Sequence, residues 1–160
     1  MRIGSGYDLH RYGPGNHVML GGVRVPHGQG VVAHSDGDVL LHALMDALLG
    51  AAGAGDIGQH FPPGDPRYAG ADSRGLLREV MRQVAARGFV VENCDLTLVA
   101  EAPRIGAHRE AICAAIAEEL QVDRARVNLK ATTAEGLGAL GRAEGIAAQA
   151  IVLLREGDGV

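Results

Sequence analysis

The run Val39-Leu40-Leu41-His42-Ala43-Leu44-Met45-Asp46-Ala47-Leu48-Leu49 constrains the fold more than any other stretch of the chain. Its apolar residues fall on nearly every side of a helix, so the helix should be buried rather than half-exposed. Ser35 or Asp36 can cap its start, and Gly50 can end it. His42 and Asp46 interrupt the run and rule out a membrane span. Asp38, His42 and Asp46 are four apart and form one polar stripe, which is either a solvated face or a site.

Around this helix the pattern is mixed. Residues 1–8 read as a short strand leading into a Gly-rich turn. Val18-Met19-Leu20 and Val23-Arg24-Val25 flank Gly21-Gly22, a hairpin signal, because paired glycines accept the positive φ of tight hairpins. The Gly- and Pro-rich stretch from Gly53 to Asp72 is a long loop, and such loops are usually functional or mobile. Asp72 or Ser73 caps a second helix with an apolar stripe at Leu76, Leu77, Val80, Met81 and Val84, closed by Gly88. Phe89–Ala100 contains a strand. An Ala-rich helix runs from about Ala107 to Leu120, and Val127–Ala131 and Ile146–Leu154 are strands. The expected fold is α+β, a single domain over residues 1–160 with helices packed on one face of a mixed β-sheet.

Composition excludes several classes. With 160 residues, 47% apolar and 21% charged, the chain suits one globular core. The net charge is −4 and Lys130 is the only lysine, so there is no basic stripe for nucleic acid. An anionic ligand would have to be held locally, by metal ions, helix N-termini and a few placed cations. Cys94 and Cys113 form no CxxC pair and read as reduced, buried thiols of a cytoplasmic protein. Met1-Arg2-Ile3-Gly4 does not read as a secretory leader. The 24 glycines imply tight turns or close backbone approaches.

Three groups carry chemistry. In an extended Asp8-Leu9-His10, the carboxylate and imidazole project to the same side. With His42 they would make an Asp/His/His set with an open fourth position, as catalytic zinc requires. Asp46 or Asp38 could hold the second ring nitrogen of His42. His34-Ser35, at the start of the apolar helix, offers donors to a phosphate, or is a plain cap. Lys130-Ala131-Thr132-Thr133-Ala134-Glu135 places two hydroxyls and a carboxylate after a strand. These suit phosphate and a Mg²⁺-bound diphosphate, and Thr-x-x-Glu is also a capping box. His17, His27, His60 and His108 have no convincing partners by spacing.

Gly4-Ser5-Gly6-Tyr7-Asp8-Leu9-His10, Leu20-Gly21-Gly22-Val23-Arg24-Val25-Pro26 and the run Ala33-His34-Ser35-Asp36-Gly37-Asp38-Val39-Leu40-Leu41-His42-Ala43 together resemble the 2-C-methyl-D-erythritol 2,4-cyclodiphosphate synthases. So do Leu48–Gly58, Gly70-Ala71-Asp72-Ser73, Lys130-Ala131-Thr132-Thr133 and Gly141-Arg142-Ala143-Glu144-Gly145-Ile146, in order along nearly the whole chain. The resemblance implies an enzyme of the non-mevalonate isoprenoid route that releases CMP from 4-diphosphocytidyl-2-C-methyl-D-erythritol 2-phosphate while closing a cyclic diphosphate. It implies one Zn²⁺ per subunit on Asp8, His10 and His42, and Mg²⁺ or Mn²⁺ on the diphosphate, held in part by Glu135. His34 and Thr133 match transition-state stabilisers, and Asp8, His10, His34 and Ser35 also match substrate contacts.

Asp56, Ile57 and Gly58, followed by Phe61, Pro62, Pro63, Gly64 and Asp65, match the methylerythritol side of the site. Ala100, Glu101, Ala102, Pro103, Arg104, Ile105 and Gly106 match the cytidine pocket. Thr132, Thr133, Ala134, Glu135, Ala139 and Arg142 complete the substrate contacts. The resemblance further implies a homotrimer with active sites at subunit interfaces, and no nucleic-acid or membrane partner. The chain departs from many relatives at Pro63, Gly136, Ala139 and Gln149, where Asp, Lys, Phe and Glu are common. A zinc phosphohydrolase using the same three ligands is the rival enzyme, and a non-catalytic diphosphate-binding module is the rival from another class.

Overall fold

The structure is a computed structural model and describes residues 1–157. Its centre is the apolar helix, α1 (Val39–Ala52), in which twelve of 14 residues are buried. Asp38 caps it rather than Ser35 or Asp36, because only the Asp38 carboxylate reaches the Leu41 amide, at 3.0 Å. The helix runs past Gly50 to a left-handed Gly53, since Ala51 and Ala52 still bury apolar surface.

Beneath α1 lies β1 (Arg2–Gly13), one unbroken strand of 12 residues that covers the expected strand and runs past its expected end at residue 8. The glycines there serve close approach. A Cβ on Gly4 would come within 2.0 Å of the Ala47 carbonyl oxygen, so the strand can touch α1 only without side chains. Alternation puts Asp8, His10 and Tyr12 on the same helix-facing side as Gly4 and Gly6.

The hairpin forms as expected from β2 (His17–Leu20) and β3 (Val23–Pro26), with Gly21 and Gly22 at φ 60° and 79°. Their amides donate to the buried Asp38 carboxylate, at 2.9 and 2.7 Å. The hairpin is thereby fastened to the start of α1, and burial pushes the Asp38 carboxyl up from its ordinary range.

The main sheet has the order β4-β1-β7-β5-β6, with β4 (Gly30–Val31), β5 (Phe89–Val99), β6 (Val127–Thr132) and β7 (Gly145–Glu156). β5 and β6 are parallel and the other pairs antiparallel, so the sheet is mixed. Its covered face packs under α1, α3 (Ser73–Ala86) and α4 (Arg109–Leu120). The opposite face exposes Ile3, Tyr7, Leu9 and Ile151 among the described residues. The long Gly- and Pro-rich segment carries a short helix, α2 (Ile57–His60), and a 3-10 turn at Pro66–Tyr68, while α5 (Gly138–Gly141) precedes β7. Cys94 and Cys113 are free and buried, and burial pushes the Cys94 thiol up to about 12.

Candidate active site

The end of β1 meets the first turns of α1, and three metal-ligating side chains converge there. Asp8 Oδ2 lies 2.8 Å from His10 Nε2 and 3.0 Å from His42 Nδ1. The two ring nitrogens are 2.9 Å apart. Burial opposes the charge on Asp8, but its hydrogen bonds to His10 and His42 prevail and hold it well below the usual carboxylate range. Burial likewise opposes charge on His42, and the Asp8 carboxylate outweighs it and raises the ring above its ordinary value.

This set fits zinc. Two imidazoles and a carboxylate are the donor types of catalytic Zn²⁺, and three ligands leave one position open. Adjacent ligands of a tetrahedral zinc stand about 3.3 Å apart, close to the spacings here. Among the described residues, this is the one such group of His, Cys, Asp and Glu atoms.

The other nitrogen of His42 is not held by Asp46 or Asp38. Asp38 is occupied by the three amides described above, and Asp46 Oδ1 accepts from the Ile57 amide at 2.8 Å, anchoring α2 to α1. Instead, His42 Nε2 sits 3.0 Å from Ser73 Oγ and 3.1 Å from Ser35 Oγ. Sequence spacing gave no hint of Ser73, which read only as a helix start. It does fall within the Gly70–Ser73 motif.

A cavity of about 570 Å³ opens from the three ligands. His34 and Ser35 enter it from the N-terminal approach to α1, and Ile57 and the segment Phe61 to Asp65 form the facing wall. Met45, Tyr68 and Leu76 add apolar surface that the sequence did not single out. Asp56 caps α2 through the Gln59 amide, and Gly58 lies within α2.

A second cavity, also about 570 Å³, lies elsewhere on the chain, between the segment Ala100 to Gly106 and the end of β6 at Thr132-Thr133. Tyr12 donates its hydroxyl to the Ala102 carbonyl, before the cis Pro103. Glu101 Oε1 accepts from the Ala134 amide at 3.0 Å and lies 3.5 Å from the Gly136 amide. These contacts bracket Glu135, a non-glycine residue at φ 52° whose carboxylate accepts from Thr133 Oγ1 at 3.1 Å. Ala139 lines a third hollow beside His10 and Tyr12, and Arg142 pairs with Glu144 at 2.6 Å.

The sheet register relates the two main cavities. Leu9 pairs with Ala147, Ala147 with Val99, and Val99 with Thr132. The ligand strand and the end of β6 thus share a row but stand three strand spacings apart, about 14 Å. The sequence-predicted residues are therefore divided mainly between these two cavities, with Ala139 and Arg142 outside both.

A family model described as the YgbB family matches residues 1–155. The chain belongs to this family. A relative from Stutzerimonas stutzeri, named 2-C-methyl-D-erythritol 2,4-cyclodiphosphate synthase, is 62% identical over 96% of this chain and 98% of that protein. A solved 2C-methyl-D-erythritol-2,4-cyclodiphosphate synthase in a CDP-bound form is 43% identical, with a TM-score of 0.88 over 96% of this chain and 100% of that one. The bifunctional IspDF of Campylobacter jejuni matches at 41% identity and TM-score 0.95 over 98% of this chain, which spans 42% of that longer polypeptide. No described helix is long and apolar enough to cross a membrane.

Proposed function

We propose that this YgbB-family chain converts 4-diphosphocytidyl-2-C-methyl-D-erythritol 2-phosphate to 2-C-methyl-D-erythritol 2,4-cyclodiphosphate and CMP. The observation that carries this reading is the Asp8/His10/His42 cluster opening into one cavity with His34 and Ser35, in a chain 62% identical to a protein named for that reaction.

The 2-phosphate oxygen forms a bond to the β-phosphorus. The bond from that phosphorus to the bridging oxygen breaks, and its electron pair leaves with CMP. Both partners are anionic, so the site must neutralise charge and hold the substrate folded. His34 and the Ser35 hydroxyl stand where they can donate to phosphate oxygens, beside the positive end of α1. The apolar wall of Ile57, Phe61 and Pro62 takes the methylerythritol carbons and keeps water from competing with the internal phosphate. Asp8, His10 and His42 would hold Zn²⁺, which when bound supplies Lewis-acid polarisation of a β-phosphate oxygen. Thr133 and Glu135 belong to the diphosphate end, where a carboxylate suits Mg²⁺ or Mn²⁺ shared with substrate oxygens. The cavity at Ala100 to Gly106 takes the cytidine.

The protein would act as a homotrimer. The uncovered sheet face supports this, with Ile3, Tyr7 and Leu9 at 72%, 59% and 53% exposure. Two separated half-sites also argue that one subunit's ligand cavity works against a neighbour's cytidine cavity. The expected compartment is the cytoplasm.

Phosphorus NMR with the cytidine-linked substrate, Zn²⁺ and Mg²⁺, run beside His42→Ala, tests the reaction. CMP with a coupled cyclic-diphosphate pair, absent in the variant, is the expected result. CMP with a linear product would instead make the protein a hydrolase. No turnover by the folded, metal-loaded protein would make it a binding module.

A further inference from the structure

Ser73 is the first residue of α3 and is fully buried. Its backbone amide donates to Asp36 Oδ2 at 3.1 Å, and its hydroxyl donates to Asp36 Oδ1 at 2.5 Å. Asp36 also accepts from the Asp38 amide, at 3.2 Å. A carboxylate only accepts, and a serine hydroxyl has one hydrogen. With that hydrogen given to Asp36, Ser73 Oγ has only lone pairs left to offer His42 Nε2, 3.0 Å away. Ser73 therefore favours the hydrogen of the neutral His42 ring on Nε2. Nδ1 is the nitrogen that faces Asp8 and His10; the Asp8 carboxylate draws the hydrogen to Nδ1, whereas Ser73 draws it to Nε2 and frees Nδ1 for a metal.

We infer that Ser73, backed by Asp36, is a positioning residue that draws the ring hydrogen of His42 to Nε2 and aims Nδ1 at the metal. Ser35 does a different job. Its Oγ accepts from the Gly37 amide at 3.2 Å and stands 3.1 Å from the same ring nitrogen. Its own hydrogen is not committed to a carboxylate and stays available to a ligand in the cavity. The division is physical: Ser73 is sealed at the helix junction, whereas Ser35 lines the cavity. A histidine ligand whose remote N–H is held in place binds metal more tightly, and loss of such a partner costs roughly 10–100-fold in affinity.

The inference rests on the metal-site reading, and the test separates the two. Long-range proton–nitrogen NMR of the metal-free protein at about pH 9, above the histidine range, reads the His42 tautomer directly. Zinc affinity is read by chelator competition. In the wild type, His42 should keep an Nε2–H population against the pull of Asp8. Ser73→Ala should shift the ring toward Nδ1–H and weaken zinc roughly 10–100-fold. Ser73→Thr, which keeps the hydroxyl, should restore both. Should Ser73→Ala fail to fold, Asp36→Asn tests the same chain of donors, because the amide can donate to Ser73 and free its hydroxyl to turn toward His42. Unchanged ring signals and zinc affinity in a folded Ser73→Ala or Asp36→Asn protein would overturn the inference. If the wild type binds no zinc at these residues, the metal reading fails, and the ring spectrum still decides the role of Ser73.

Discussion

A β-carbon on Gly6 would stand 2.0 Å from the carbonyl oxygen of Ala43. The obstacle is helix backbone, which no rotamer change can move aside. The same close approach lets Asp8, two residues on, meet His42, one residue from Ala43. Gly6→Ala should therefore cost about 3 kcal/mol or more, at the upper end for overpacking, and should weaken zinc binding in whatever fraction folds. Urea unfolding followed by circular dichroism measures the first effect. A loss below about 1 kcal/mol would mean that α1 can lift off the strand freely.

Asp38→Asn keeps the shape of a buried side chain but replaces one acceptor oxygen with a donor. That NH₂ would face an amide from Gly21, Gly22 or Leu41. The expected loss is about 2–3 kcal/mol, the cost of leaving buried donors unmet, with no change in zinc stoichiometry. Thermal unfolding with metal analysis checks both parts.

Glu119 binds α4 to α3, with its carboxylate accepting from Arg74 at 2.6 Å and from Arg78 at 2.8 Å. Burial opposes the charge, but the two guanidiniums prevail and hold the carboxyl below its ordinary value. A depressed folded-state value means stability that is present above the unfolded value, about 4.3, and lost as pH falls from there through the lower folded-state value. Glu119→Gln should lower stability at neutral pH. It should also flatten the loss of stability below about pH 5, by at most about one bound proton. Unfolding midpoints against pH measure the slope, and parallel curves for the two proteins would remove this role.

Glu101 holds the turn that presents Glu135. A non-glycine residue at φ 52° carries about 1–2 kcal/mol of strain, which the amides gathered on Glu101 offset. Glu101→Ala should let this turn relax and lower kcat/KM roughly 10-fold, a loss of about 1.4 kcal/mol. Zinc affinity should stay unchanged, because the ligand cavity lies on other strands. CMP release assayed beside chelator competition separates these outcomes.

Much of the fold was legible locally. The period-two placement of Asp8 and His10, the hairpin at Gly21-Gly22, the buried helix and the cap at Asp72 each depend on residues within a few positions. The misreadings came from contacts between distant segments. The first strand read as ending near residue 8, yet it runs on to Gly13 because its pairing with β7 continues to Arg11. Asp46 read as the partner of His42 because the two share a helix face, yet its carboxylate turns to the Ile57 amide instead.

The sequence by itself determined the elements, the residues that share each face, and the membership in one family, because periodicity, capping and motif order are all written along the chain. Only the tertiary structure decided that His42 answers to Ser73, 31 residues away, and that the candidate site divides into two cavities three strands apart. Those facts depend on how α3 docks on α1 and how β6 joins the sheet. Such docking is settled by burial and hydrogen bonding between distant segments, which no local pattern records.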